Sequence, residues 1–275
     1  MSRTLVIGCG GAGCNTVSRI DAGIPILKIN TGSHGPDVKI SMADSNVEGC
    51  RGDSDLGWAL AFDYKDEIKK EMEGYKNIIV TAGLGGGTGS GAIPVISECA
   101  RELGSKMISV VSIPMSFEKE RRARAILQMD KVIEISDRTV LFDIDRMPTM
   151  GGGPLKISDA IRSADEMMKE AIERVVNMLD GPFFSTLSKN VYTVAYSAGE
   201  DLLRTALTAI DLCLFETDPD RGKIIVTSDS VISESEEYVL MGAICDRTGI
   251  MPEVIPGKET RGHGIMLFIP ISYRV

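Results

Sequence analysis

Five short apolar, β-branched-rich runs punctuate the first half of the chain: "TLVIG", "PILKI", "NIIVTAG", "MISVVSIP" and "TVLFDI". Each is short and ends in turn residues, which predicts buried strands. Between them, "AGCNTVSRIDAG", "WALAFDYKDEIKKEMEGY", "IPVISECARELG" and "EKERRARAILQMDKVIEIS" carry apolar residues at helical spacing. Strand and helix in alternation predict an α/β fold, a parallel sheet with helices on both faces.

The pattern then breaks at "MGGGP", residues 150–154. A long helix is predicted next, over "KISDAIRSADEMMKEAIERVVNML", with Ile157, Ile161, Ala164, Met168, Ile172, Val175 and Leu179 on one apolar stripe. Beyond Gly181 come "VYTVAYS", a helix in "EDLLRTALTAIDLCLF", "KIIVTS", another helix, "MPEVIPG" and "GIMLFIPISY", the pattern of a smaller α+β domain. The expected division is a first domain over residues 1–156, a central helix over 157–180 and a C-terminal domain over 181–275.

Composition narrows the function classes. With 275 residues, 43% hydrophobic and 25% charged, the chain can build a full core in one or two domains. A net charge of -9 argues against a nucleic-acid partner, which would want a basic face. The six cysteines contain no CxxC pair and there are only two histidines, so neither a metal site nor a disulfide framework is expected. Most of those cysteines are expected to be buried thiols. The start "MSRTLVIG" is too short for a signal peptide, and no apolar run approaches a membrane span of roughly 20 residues. A cytoplasmic protein without a direct membrane anchor is expected.

Chemistry enters with glycine. "GCGGAGCN", residues 8–15, follows the first strand and opens a helix, satisfying GxGxxG. "GLGGGTGSG", residues 83–91, has six glycines in nine residues and also joins a strand to a helix. In a parallel sheet both loops share one edge, and each glycine lets the backbone present N–H donors without a Cβ. Together they read as two halves of a phosphate cradle, with the hydroxyls of Thr88 and Ser90 inside it. A Walker A loop is excluded, since no lysine occurs between Lys76 and Lys106. A dinucleotide-binding enzyme wants an acidic residue about 20 positions beyond its glycines, where this chain has Asn30 and Thr31.

The glycine-rich stretch "GGGTGSG", residues 85–91, resembles the signature loop of the tubulin/FtsZ superfamily. "GCGGAGCN", "NT" at Asn30 and Thr31, "VVSIPMSFEKERR" and "SADEMMKEA" resemble further nucleotide-contacting segments of that family, in family order, the last in its archaeal form. "EGCRGDSDLG" is a looser, shorter match to the third loop. The resemblance implies a GTP-binding domain, a long central helix, and GTP or GDP as ligand, with Mg2+ carried on the phosphates. Gly10, Gly11, Ala12, Gly13 and Cys14 would serve the phosphates and Asn15 the guanine. Gly85, Gly86, Gly87, Thr88, Gly89 and Ser90 would wrap the β- and γ-phosphates. Glu118 and Arg122 would lie at the ribose, unless they only form an i, i+4 ion pair with each other. Asp165 would accept from guanine N1–H and N2, donors that adenine lacks, and Ile161 stands where the family places an aromatic over the base.

The resemblance also implies a partner, a second copy stacked longitudinally as an oligomer or filament, which completes the site through an Asn-x-Asp-x-x-Asp loop after the central helix. Here that loop and its helix are missing from the pattern, and Asp180 is the sole acidic residue between Glu173 and Glu200. Asp180 is the one candidate catalytic carboxylate. With "ISYRV" directly after a strand, no tail of the kind that recruits membrane tethers in the family is expected. The expectation is a short, divergent FtsZ-like protein that binds GTP, self-associates with nucleotide, and hydrolyses it slowly or not at all. The alternatives are a pseudo-GTPase scaffold and a dinucleotide-binding enzyme using the first loop alone.

Overall fold

In the computed structural model of the chain, residues 3–20, 23–31, 40–41, 49–146, 157–179, 190–213, 215–218, 220, 222–257 and 264–273 are described. The elements run β1 (Thr4–Cys9), α1 (Gly10–Val17), β2 (Ile26–Asn30), β3 (Ile40–Ser41), α2 (Ser54–Asp63), α3 (Lys65–Met72), β4 (Asn77–Gly83), α4 (Thr88–Leu103) and β5 (Lys106–Ile113). They continue with α5 (Lys119–Ile135), β6 (Arg138–Asp143), α6 (Ile157–Leu179), β7 (Val191–Ala198), α7 (Leu202–Leu212), β8 (Ile225–Ser228), α8 (Glu234–Thr248), β9 (Glu253–Ile255) and β10 (Gly264–Pro270). The fold is α/β with a mixed, mostly parallel set of strands.

The chain divides into two compact units, one of Met1–Asp145 with Gly153–Phe184, the other of Arg146–Gly152 with Ser185–Val275. In the first, the strand order is β3-β2-β1-β4-β5-β6, and every described pairing is parallel. Val6 sits between Ile26 and Ile79, and Val80 beside Ser109. All six residues of β1 are buried, as befits strands covered on both faces. In the second unit the order is β7-β10-β8-β9, antiparallel on both sides of β10 and parallel between β8 and β9. Its core gathers Ala206, Ala209, Ile224, Val226, Leu240, Ile244 and Leu267.

Three details depart from the pattern reading. The stretch from Trp58 to Tyr75 is two helices, α2 and α3, separated at Tyr64. The short strand β3 was not signalled. Ile157 and Ile161 are 54% and 44% exposed, so the buried stripe of α6 begins at Ala164 and continues through Met167, Met168, Ala171, Ile172 and Val175. Periodicity marks a helix face but not where along its length the covering elements start. Of the six free cysteines, Cys9, Cys14, Cys50 and Cys99 are buried and Cys213 and Cys245 are half-buried. The Met150–Pro154 break and Asp180 lie outside the described residues.

Candidate functional site

From β1 the chain steps one way to β2 and the other way to β4. A parallel sheet has its topological switch point there, and the crevice opens beyond the carboxyl ends of these two strands. Both glycine loops emerge at that place, the first entering α1 at Gly10 and the second entering α4 at Thr88. They touch. Gly10 has φ +68, and a Cβ on it would stand 3.0 Å from the backbone N of Gly89.

Neither α1 nor α4 has a side-chain cap or an acidic residue in its first turn. Every other helix with a described start has one or the other. Asp53 caps α2, Asp201 caps α7, and Ser233 with Glu236 forms a capping box on α8. Asp66 and Glu67 open α3, and Glu120 opens α5. The first-turn N–H groups of α1 and α4, and the positive ends of both helix dipoles, therefore converge on the crevice uncompensated. Such a pair is suited to hold an anion.

The glycines themselves separate into two kinds. A Cβ on Gly13 would overlap the carbonyl of Thr81, and one on Gly89 would lie 3.0 Å from both Ala82 Cβ and Cys9 O. A Cβ on Gly87 would overlap Cys50 Cβ and stand 2.6 Å from Asp53 O, while one on Gly91 would run into the backbone of Gly57 and Trp58. At these positions the chain's own backbone requires glycine. Among the described residues Gly11 has nothing within 4 Å and Gly86 only Gly83 O at 3.5 Å, and neither has a positive φ. No described residue accounts for glycine at 11 and 86, where a Cβ would find room.

Thr88 joins three segments. Its Oγ1 bonds Thr31 Oγ1 at 2.5 Å and reaches Cys50 Sγ at 3.5 Å, while Asn30 Oδ1 accepts from Thr31 N at 3.0 Å. The end of β2 thus presents a buried Asn30 in place of the carboxylate that a dinucleotide site needs. Ser90 is held by Gln128, whose Oε1 accepts from Ser90 Oγ at 2.6 Å and from Gly85 N at 2.7 Å. Cys14 is a buried thiol turned to Gly8 O at 3.4 Å, and burial pushes its pKa up to about 11.

Farther along, Thr16 Oγ1 on α1 and the Arg19 guanidinium just beyond that helix each lie 3.5 Å from the Asp165 carboxylate on α6. Burial raises the Asp165 pKa, against the opposing pull of Arg19 and the Thr16 hydrogen bond. Arg19 also pairs with Glu166 at 2.7 Å. Asn15 is exposed on α1 one residue before Thr16, and the exposed Ile161 sits one turn before Asp165. Glu118 and Arg122 do not pair with each other. Glu118 binds Arg121 at 2.8 Å, whereas Arg122 forks onto Asp143 at 2.8 and 2.7 Å and donates to Pro114 O at 2.6 Å.

Arg19, Arg124 and Gln128 were missed in the sequence. The signal was present for the last two, since Arg121, Arg124 and Gln128 follow at three- and four-residue spacing and mark one polar face of α5. Among the described residues no cluster of three metal-ligating side chains occurs, and no helix is long and apolar enough to cross a membrane.

Fold and site define an α/β protein in which two uncapped helix N-termini meet at the switch point of a parallel sheet. The tubulin/FtsZ family GTPase domain is matched over residues 24–152. Cell division protein FtsZ of Haloferax mediterranei is 34% identical over 190 residues, 64% of this chain and 50% of that protein. Cell division protein FtsZ 1 of Pyrococcus horikoshii is 32% identical over 201 residues, 69% of this chain and 54% of that protein. The match spans about half the length of these curated relatives. An empty FtsZ dimer of M. jannaschii shares the fold with TM-score 0.81 at 22% identity, over 98% of this chain and 88% of that one. CetZ2 from Haloferax volcanii, in a GTPgS-bound protofilament, gives TM-score 0.77 at 18% identity, over 98% and 93%. The chain belongs to the tubulin/FtsZ superfamily.

Proposed function

We propose that this protein binds GTP or GDP in the crevice and self-associates longitudinally in a nucleotide-dependent way. The observation that carries the reading is the meeting of two uncapped helix N-termini, with Gly11 and Gly86 left open above them. That arrangement supplies backbone donors to more than one phosphate and no side chain to obstruct them. Gly10, Gly11, Ala12, Gly13 and Cys14 would serve one part of the phosphate chain, and Gly85, Gly86, Gly87, Thr88, Gly89 and Ser90 the other. Mg2+ would come bound to the phosphates. Asp165 with Asn15 would select guanine, and Glu118 with Arg122 would face the ribose side.

Hydrolysis is expected to be slow. A positioned base or water-orienting group is worth ~10²–10⁴ in rate, and between Glu173 and Glu200 only Asp180 is available to supply one to a neighbouring copy. Bound nucleotide then acts chiefly as a structural or switching ligand. Two measurements test the reading. Denaturing the purified protein and chromatographing what it releases should yield guanine nucleotide, and competition should favour GTP and GDP over ATP; equal affinity for ATP sinks the base assignment. Phosphate release across a protein dilution series should rise more than linearly with concentration, since two copies build the site. Fast, concentration-independent turnover would overturn that assembly.

A further inference from the structure

The Arg124 side chain, on the second turn of α5, lies between two of the loops that form the crevice. Its Nε donates to Gly85 O at 3.3 Å. Its Nη2, Cζ and Nε lie 3.0, 3.2 and 3.4 Å from where a Cβ on Gly52 would stand, so the guanidinium rests flat in the space that this glycine (φ +88) leaves. The side chain is half-buried and no described carboxylate lies within ion-pairing distance. Its helix neighbours Arg121 and Arg122 are both neutralised, by Glu118 and Asp143. A guanidinium with spare N–H donors and no carboxylate partner is suited to fork onto an anion.

Position says which anion. Along the second loop, Gly89 meets the first loop at Gly10, Gly87 meets the third loop at Cys50 and Asp53, and Gly85 meets Arg124. Gly86, beside which a Cβ would meet only Gly83 O at 3.5 Å, lies between the last two. Helix α1 carries the crevice the other way, towards Asp165. A phosphate chain starting from the Asp165 end passes the first loop, then the α4 N-terminus, and arrives last at Arg124.

We propose that Arg124 is a specificity-determining residue that binds the terminal phosphate of a nucleoside triphosphate, and so distinguishes tri- from diphosphate. The inference rests on the nucleotide-binding reading above. A fork of charged hydrogen bonds to phosphate is strong and is made only when the third phosphate is present. Arg124→Gln should weaken binding of a non-hydrolysable GTP analogue about 10- to 100-fold while GDP affinity stays within about twofold. Arg124→Lys should recover part of the preference, and Lys131→Gln, exposed farther along α5, should leave the ratio unchanged. In the unmodified protein, GTP analogue but not GDP should protect Arg124 from phenylglyoxal, read by peptide mass spectrometry, which keeps the idea testable if the glutamine variant fails to fold. An equal loss for both nucleotides, or equal protection by both, overturns the assignment in favour of a brace for Gly85. If the wild type binds neither nucleotide, the underlying reading fails and takes this inference with it.

Discussion

Replacing Gly86 and Gly87 by alanine, one at a time, separates a ligand's space from the chain's own. A Cβ on Gly86 meets only Gly83 O at 3.5 Å, an ordinary contact, and its φ lies outside the left-handed region. Gly86→Ala should therefore leave the fold intact, or stabilise it by about 0.4–1 kcal/mol through the unfolded chain's lost freedom. On the proposed reading the same methyl stands where a phosphate would lie. Displacing a phosphate from even one charge-assisted N–H bond costs about 1.5–3 kcal/mol, so GTP and GDP affinity should fall at least about tenfold. Gly87→Ala differs in kind, because its Cβ overlaps Cys50 Cβ and stands 2.6 Å from Asp53 O. Parting the second and third loops should cost about 1–3 kcal/mol of stability, as overpacking does. The assay is paired: urea midpoints for both variants, and nucleotide titrations at equal protein concentration. Gly86→Ala binding GTP as tightly as wild type refutes the cradle, and Gly87→Ala with unchanged stability refutes the packing argument.

Gln128→Leu removes the acceptor shared by Gly85 N–H and Ser90 Oγ; leaving those buried donors unmet should cost about 1–3 kcal/mol, seen as a lower urea midpoint. If Asp165 selects guanine as proposed, it must be ionised to do so, and burial raises its pKa above the usual 3.8. GTP affinity should accordingly be present at neutral pH and fade as pH drops through a midpoint above that value, while Asp165→Asn loses guanine preference at every pH in the titration. Hydrogen bonds from Lys65 and Lys69 hold the Glu102 carboxyl down at about 2 against an ordinary 4.5. Its depressed pKa means the contribution is present above 4.5 and lost as pH falls through about 2, so the stability gap between wild type and Glu102→Gln should close over that window in acid-unfolding curves.

What the sequence determined by itself was local. Strands β1, β2, β4, β5 and β6, the long helix and both glycine loops are written in runs of neighbouring residues, because apolar periodicity and glycine clustering report short-range geometry. The superfamily was legible for the same reason, since "GGGTGSG" is contiguous. Contacts between distant segments were decided by tertiary structure alone. Why Gly87 must be glycine depends on Cys50 and Asp53, more than thirty residues away, and the partner of Arg122 proved to be Asp143 rather than Glu118 one turn before it. Ile157 and Ile161 fit the stripe yet stand in solvent, because burial depends on what packs against a face and periodicity carries no information about that. Arg124 and Gln128 joined the site only when α5 was laid against loops some forty residues upstream. Spacing within a helix predicts which side chains share a face; the fold decides what that face meets.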